Sequence, residues 1–222
     1  MRRLFFPEIC PVCGRVLVGG ERHICLKCLS DLPYSYFWEW RYNPAEEMLN
    51  RKLDVEKAVS LFIYREDSRW KSLIHNFKYG GDKVLGRYLS AMLGKKILDS
   101  GIFKSVDLII PVPLHPLKRW KRGFNQAAVI AHELGRALGG IEVNEKVLRR
   151  RKNTTSQTIK DRDEREISVS KAFCLNRRGI EGREVLLVDD VLTTGATISA
   201  CGKAILSVPG TLLNVATLAY VE

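Results

Sequence analysis

Two adjacent aspartates, Asp189 and Asp190, follow the aliphatic residues 185–188 and precede a run of small and hydroxyl-bearing residues. Carboxylates accept hydrogen bonds from sugar hydroxyls and also bind divalent cations. Backbone N–H groups at a helix start bind anions, and small residues let a phosphate approach closely. We therefore predict a ribose 5-phosphate site, with the acids on the 2′- and 3′-hydroxyls and the following loop on the 5′-phosphate. The predicted loop residues are Val191, Leu192, Thr193, Thr194, Gly195, Ala196 and Thr197. An ordinary strand followed by a capped helix would explain the threonines and the glycine, but not two adjacent acids at a strand end.

Four of the six cysteines form two C-x₂-C pairs, Cys10 with Cys13 and Cys25 with Cys28. Two such pairs close together in the chain suit a tetrahedral zinc ion held by four thiolates. The alternative is two unrelated redox or core pairs. Cys174 and Cys201 stand alone among apolar residues, which predicts buried structural cysteines.

The elements that must position these residues alternate along the chain. Apolar patterns predict strands at 58–64, 106–113, 142–148, 167–175, 184–190 and 212–221, and helices at 68–79, 83–98, 124–138 and 196–206. Such alternation predicts an α/β fold, with a mostly parallel sheet flanked by helices on both faces. In that architecture ligands bind beyond the carboxyl ends of the strands, which is where the aspartates are expected.

The composition points to an anionic partner. The chain has 222 residues and a formal net charge of +11, which favours nucleic acid, polyphosphate or a phosphorylated substrate. A basic surface that serves only solubility is the alternative. No apolar run approaches the ~20 residues of a membrane span, and none resembles a signal-peptide core. We therefore expect a cytoplasmic protein that does not span a membrane.

An aromatic cluster occupies residues 34–40 and includes Tyr36, Phe37 and Trp38. Such a cluster is typical of a lid that packs against the next layer of the fold. A platform on which nucleic-acid bases stack is the alternative.

Several segments together resemble known families. The stretch VLLVDDVLTTGAT closely resembles the phosphoribosyl pyrophosphate (PRPP) signature of type I phosphoribosyltransferases. The segments CPVCG…CLKC, HNFKYGGD (75–82), IPVPLHPLKRWKRGFNQA (110–127) and R…SQ…ER…AF (151–173) resemble the ComF family of competence-associated, phosphoribosyltransferase-like proteins. The resemblance spans nearly the whole chain. Ser168 and Lys171 depart from it, because family members usually have Asn and Gly there.

The resemblance implies a type I phosphoribosyltransferase fold that binds PRPP with Mg²⁺, and it implies roles for further residues. Asp189 and Asp190 would be the catalytic acids that hold the ribose, and residues 149–160 would form a flexible loop that closes over PRPP. A strained pyrophosphate loop is expected at Val112, Pro113 and Leu114. Candidates for neutralising the pyrophosphate, there and in the flexible loop, are Arg119, Arg122, Arg151, Lys152 and Gln157. The basic residues at 118–122 could equally be a solvated helix start or a nucleic-acid patch, and 149–160 an ordinary surface loop.

The expected organisation is a small zinc knuckle or ribbon at 1–33, a hood at 34–75 and a phosphoribosyltransferase-like core at 76–222. Three functions compete. The first is a PRPP-binding protein of DNA uptake and natural transformation that handles single-stranded DNA beside proteins of the competence machinery. The second is an active phosphoribosyltransferase that serves nucleotide salvage by transferring ribose 5-phosphate to a nucleobase. The third, a zinc adaptor with a vestigial nucleotide site, is disfavoured by the intact acids and the threonine-rich loop.

Overall fold

The chain has an α/β fold, a β-sheet with helices packed against it, as the alternating pattern predicts. The structure is a computed structural model that describes residues 7–115, 117, 120, 122–150, 173–177 and 179–222. Its strands are β1 Lys57–Tyr64, β2 Leu108–Pro111, β3 Glu142–Val143, β4 Leu148–Arg150, β5 Phe173–Leu175, β6 Glu184–Leu192 and β7 Leu212–Val221. Its helices are α1 Leu26–Ser30, α2 Pro44–Asn50, α3 Lys71–Tyr79, α4 Lys83–Ser100, α5 Gln126–Ala137 and α6 Ala196–Leu206.

Five strands form one sheet in the order β1-β7-β6-β2-β3, and every pairing in it is parallel. The neighbouring interior strands β6 and β7 are buried along most of their length, as a sheet covered on both sides requires. Residues 185–188 of β6 are fully buried. This sheet is the rigid frame on which the predicted aspartates are mounted.

β4 and β5 form a separate antiparallel pair, in which Arg150 lies opposite Phe173. Residues 151–172, between these two strands in the chain, lie outside the described part of the structure. Of the strand predicted at 167–175, residues 173–175 form β5, and residues 167–172 lie outside the described ranges.

The single strand predicted at 142–148 is wrong. The chain forms β3 over two residues, turns, and begins β4 at Leu148. The cause is Asn144, whose side-chain oxygen accepts a hydrogen bond from the Lys146 N–H at 3.0 Å. Asparagine favours such local turns over a continuing strand.

The other predicted elements agree with the structure to within a few residues. α6 and the last strand, predicted at 196–206 and 212–221, have the predicted bounds. Strand β6 includes both aspartates, as predicted, and continues two residues past its predicted end, through Val191 and Leu192. Cys201 is buried as expected, whereas Cys174 is only half-buried because it lies on the short outer strand β5.

The segment from 33 to 40 packs against the sheet as a covering layer. Ser35 N–H donates to the Leu61 carbonyl at 3.1 Å, and Ile63 N–H donates to the Pro33 carbonyl at 2.8 Å, so residues 33–35 cover the outer edge of β1. Phe37 and Trp38 are buried, which confirms the packing interpretation for these two rings. Of the three named aromatics only Tyr36 is exposed enough for a base to stack on it.

Contacts of His23 and Asp31 join the cysteine-bearing segment to the main body. His23 stacks near Tyr88 of α4 with ring centroids 5.4 Å apart. Asp31 and Arg69 form an ion pair at 3.6 Å. β1 lies within the segment expected to form the hood, and the division at residues 33 and 75 stays a prediction. None of the helices in the described ranges is long and apolar enough to cross a membrane.

Candidate functional site

A cavity of about 400 Å³ opens beyond the carboxyl ends of β2 and β6. These strands are neighbours, but the chain leaves β2 toward β3 at one edge and leaves β6 toward β7 on the other side. Such a reversal of strand order opens a crevice where α/β proteins bind ligands. The lining residues are Tyr64, Glu66, Lys71, Ile74, His75, Lys78, Tyr79, Val112, Pro113, Leu114, Arg122, Asn125, Gln126, Ala127, Arg150, Asp189, Asp190, Val191, Thr193 and Thr197.

Both aspartates line this cavity, near the carboxyl end of strand β6. Asp190 is buried, and its Oδ1 lies 2.9 Å from the Lys78 ammonium. Asp190 N–H donates to Asp189 Oδ1 at 2.8 Å, which fixes the first carboxylate against the backbone. The pair thus offers acceptor oxygens to a ligand that carries hydroxyl donors.

Burial and the neighbouring charge of Asp190 raise the pKa of Asp189 to about 7. The backbone hydrogen bond from Asp190 and the cations Lys78 and Arg122 oppose this shift without cancelling it. Two carboxyls this close resist ionising together. A ligand that donates hydrogen bonds, or a cation held near them, would relieve that repulsion.

The predicted phosphate loop divides between cavity and core. Val191, Thr193 and Thr197 line the cavity, whereas Leu192 is buried in the core. Gly195 begins α6 with a φ of 71°, and a Cβ there would lie 3.1 Å from Leu49 Cδ2. The positive φ therefore favours glycine here, and a Cβ would also require the Leu49 side chain to shift slightly. No side chain caps the first N–H groups of α6, which leaves them available to a phosphate.

The remaining loop residues stay near this helix start without lining the cavity. Thr194 and Ala196 are exposed, and the Thr194 carbonyl accepts a hydrogen bond from Lys52 Nζ at 3.4 Å.

The predicted pyrophosphate loop, Val112, Pro113 and Leu114, lines the cavity beside the acids. Asn125 holds this loop, since its Nδ2 donates to the Val112 carbonyl at 3.1 Å while its Oδ1 caps α5 at Ala127. None of these three residues has a positive φ, and the expected strain of the loop stays a prediction. Among described non-glycine residues, positive φ occurs at His23, Tyr36 and Tyr42. The Val112 N–H donates to the Val188 carbonyl at 2.8 Å, because the loop continues the sheet pairing of β2 with β6.

Of the five predicted pyrophosphate and flexible-loop residues, the structure describes Arg122, and it places this side chain in the cavity. The guanidinium lies 4.9 Å from the Tyr79 ring centroid and donates to the Tyr79 hydroxyl at 3.1 Å. Arg119, Arg151, Lys152 and Gln157 lie outside the described residues.

Sequence reasoning missed several cavity residues on α3, among them Lys71, His75 and Lys78. Their spacing of four and three residues places them on one helix face. The apolar residues Leu73, Ile74 and Phe77 are buried. This polar stripe was the available signal, and the resemblance segment HNFKYGGD already contained two of its members.

The four predicted cysteines form one cluster, with all four Sγ atoms within 4.8 Å of one another. The Sγ atoms of Cys13 and Cys25 lie 3.7 Å apart. Tetrahedral zinc with bonds of about 2.3 Å would place its sulfurs about 3.8 Å apart. Together these residues can hold a metal ion.

Local hydrogen bonds set the character of the Cys25 thiol. Burial raises its pKa, but the Cys28 backbone N–H and the Arg15 guanidinium lower it more, to about 6. The thiolate is the form that binds metal, and a lowered pKa makes this form more abundant.

Glu21 holds the knuckle together and was not predicted from the sequence. Its buried carboxylate accepts hydrogen bonds from Val18 N–H at 2.9 Å, Leu26 N–H at 2.8 Å and the Arg15 guanidinium at 2.5 Å. The two backbone hydrogen bonds lower the pKa of Glu21 most.

The parallel sheet, the acid pair and the hydroxyl-bearing helix start define an α/β protein with a ligand crevice at the switch point of the sheet. A family model described as the phosphoribosyl transferase domain matches residues 96–221. Since this match covers more than half of the chain, the chain belongs to the phosphoribosyl transferase domain family.

Curated relatives confirm the resemblance to competence proteins. The chain is 33% identical to Competence protein F of Haemophilus influenzae over 136 residues, which are 59% of each chain. It is 27% identical to the DNA utilization protein YhgH of Escherichia coli K12 over 201 residues, 89% of this chain and 84% of that protein. It is 26% identical to Competence protein ComFC of Bacillus subtilis over 202 residues, 90% of this chain and 72% of that protein.

Among solved structures, the purine phosphoribosyltransferase of Pyrococcus horikoshii aligns with a TM-score of 0.39 and 18% identity. The alignment covers 60% of this chain and 72% of that one.

Proposed function

We propose that this chain binds PRPP in the cavity at the strand switch point and acts as a phosphoribosyltransferase-like protein in DNA uptake. The observation that carries the proposal is the meeting of three features in one cavity. These are the acid pair of β6, the threonine-bearing start of α6 and a cationic wall that includes Lys78 and Arg122. A cavity of this volume suits a small phosphorylated ligand.

Each part of the ligand has its own partner in this arrangement. Asp189 and Asp190 accept hydrogen bonds from the ribose hydroxyls, and the α6 start with Thr193 and Thr197 binds the 5′-phosphate. Val112, Pro113 and Leu114 face the pyrophosphate, while Arg122 neutralises part of its charge. The protein thereby positions the sugar and stabilises the charge that develops on the departing pyrophosphate.

The donor set also suits Mg²⁺, because carboxylate oxygens are the ligands that this hard cation accepts. Asp189 and Asp190 would hold it through ordered water beside the ribose hydroxyls. When bound, Mg²⁺ supplies positive charge to the pyrophosphate.

The role in DNA uptake is supported by the printed names of the relatives, two competence proteins and a DNA utilization protein. The net charge of +11 suits a single-stranded DNA partner. We place the protein in the cytoplasm, where such strands and the proteins of the competence machinery would meet it.

An active transferase in nucleotide salvage is the second candidate. The specific observation in its favour is that the cavity continues past the acids to Tyr64, Ile74 and His75, which leaves a wall for a flat nucleobase. Incubating the full chain with PRPP, Mg²⁺ and each acceptor, including nucleobases and single-stranded DNA, tests both candidates. Pyrophosphate release with a nucleobase would favour salvage. PRPP binding without release, together with DNA binding, would favour the DNA-uptake proposal, and absence of PRPP binding would overturn both.

We also propose that the cysteine cluster holds one structural zinc ion, with all four coordination positions filled by Cys10, Cys13, Cys25 and Cys28. Four protein ligands leave no open position for a reacting water, which is typical of structural zinc. Metal analysis of the purified protein tests this assignment.

A further inference from the structure

Lys78 forms an ion pair with the carboxylate of Asp190, which the proposed function assigns to a ribose hydroxyl. Its ammonium lies 2.9 Å from Asp190 Oδ1, and both side chains are largely buried, at 21% and 11% exposure. A charge-assisted contact of this length in a cavity wall is strong. A ribose hydroxyl that approaches Asp190 must therefore compete with an ion pair already in place.

The backbone that carries Lys78 is fixed, whereas its side chain is long. Neighbouring Phe77 is fully buried, and the Lys78 carbonyl accepts a hydrogen bond from the buried Gln126 side chain at 3.4 Å. The four-carbon stem of lysine rotates freely, and its ammonium has three donors. The ammonium can thus change partner while the helix stays in place.

The other charged groups of the cavity do not duplicate this contact. Lys71 pairs with Glu66 at 2.5 Å, and Arg122 donates to Tyr79 and Gln126. Arg150 lies near the Phe173 ring at 5.5 Å. Among the described residues, Lys78 is the cation that forms an ion pair with the acid pair, through Asp190.

We propose that Lys78 is a positioning residue that exchanges Asp190 for a pyrophosphate oxygen when the sugar diphosphate enters the cavity. The inference rests on the proposed function. Pyrophosphate gives the ammonium a new anionic partner, and the exchange frees Asp190 to accept the ribose hydroxyl. A ligand without the pyrophosphate must break the ion pair with no replacement for it. Lys78 therefore makes the cavity discriminate PRPP from ribose 5-phosphate.

Calorimetric titration of the full chain with PRPP and with ribose 5-phosphate, each with Mg²⁺, tests the exchange. In Lys78→Met we expect PRPP affinity to fall about tenfold, as loss of a charged hydrogen bond implies. Ribose 5-phosphate affinity should stay the same or increase, so that the ratio of the two dissociation constants collapses. Lys78→Arg keeps the charge and should restore part of the ratio. Lys95→Met removes a surface ion pair with Asp99 and is the matched control that leaves both affinities unchanged.

Equal weakening of both ligands in Lys78→Met, or no change in either, would overturn the exchange. The double variant Lys78→Met with Asp190→Asn removes both charges and covers the case in which the single variant does not fold. If the double variant keeps the wild-type ratio of the PRPP and ribose 5-phosphate dissociation constants, the inference is also overturned. Failure of the wild type to bind either ligand would instead refute the proposed function.

Discussion

The cysteine knuckle and the switch-point cavity gather their functional groups in opposite ways. The knuckle takes its four ligands from residues 10–28 and is held by local contacts, chiefly those of Glu21. The cavity takes its lining from residues 64–197 and is held by the strands of a buried sheet. We infer that the knuckle depends on its metal for structure, whereas the cavity exists before its ligand arrives.

Metal removal should separate the two regions most sharply. A strong chelator should unfold the knuckle while the sheet remains, since structural zinc supplies an apparent ~10 kcal/mol of folding free energy in small modules. Hydrogen exchange would show it, with fast exchange at Val18 and Leu26 and continued protection in β6 and β7. Purified protein with no zinc and four freely titrating thiols would contradict the assignment.

Replacing both acids should weaken PRPP binding in the cavity without changing the zinc content of the knuckle. In Asp189→Asn with Asp190→Asn, each lost charged hydrogen bond costs about 1.5–3 kcal/mol, so PRPP affinity should fall by about 100-fold or more. Calorimetry measures the affinity, and zinc content with thermal unfolding serves as the control. Unchanged PRPP affinity would place the site elsewhere.

The contribution of Asp189 to the pH dependence of stability should appear in the difference between wild type and Asp189→Asn. Its pKa of about 7 in the folded chain lies above the ordinary value of 3.8, so its contribution to stability is present at low pH and is lost as pH rises through 7. Asp189→Asn should therefore gain stability over wild type on going from pH 5 to pH 8. The gain should be about 1–3 kcal/mol, since each pKa unit corresponds to about 1.4 kcal/mol. Thermal unfolding at the two pH values, without added ligand or Mg²⁺, checks this. A difference that does not change with pH would contradict it.

The smallest expected effect concerns DNA and the basic residues at 149–152. Binding of single-stranded DNA should weaken with salt, with a log–log slope of about −0.7 per phosphate contacted. Changing Arg149, Arg150, Arg151 and Lys152 to Ala should lower both the affinity and the slope. The control is Arg136→Ala with Lys95→Ala. Both are exposed cations on helices, and they form ion pairs with Glu133 and Asp99, respectively. DNA binding that survives unchanged while PRPP binding collapses would assign the basic run to the cavity alone.

The two regions also differ in how far the sequence predicts them. The knuckle follows from the spacing of its cysteines, because ligands close in the chain must be close in space. Asp189 and the start of α6 could also be predicted from the sequence, because the strand, the acids and the loop are consecutive in the chain. Lys78 was not, because it lies more than a hundred residues from Asp190 and meets it only once α3 packs beside β6. Glu21 was missed for another reason: a lone acid in a polar segment gives no sign that backbone N–H groups will surround it.

The mispredicted segment at 142–148 has a local physical cause. Asn144 interrupts an otherwise strand-like run by accepting a hydrogen bond from the Lys146 N–H, which periodicity does not register. A single side-chain hydrogen bond thus decides where β3 ends.

The central claim is that PRPP binds at the switch point between β2 and β6, and a crystal structure of the chain with PRPP and Mg²⁺ tests it most directly. The account predicts ribose hydroxyls within hydrogen-bonding distance of Asp189 and Asp190, and the 5′-phosphate at the start of α6 beside Thr193 and Thr197. PRPP bound at another surface, or a cavity that stays empty at saturating PRPP, would contradict it.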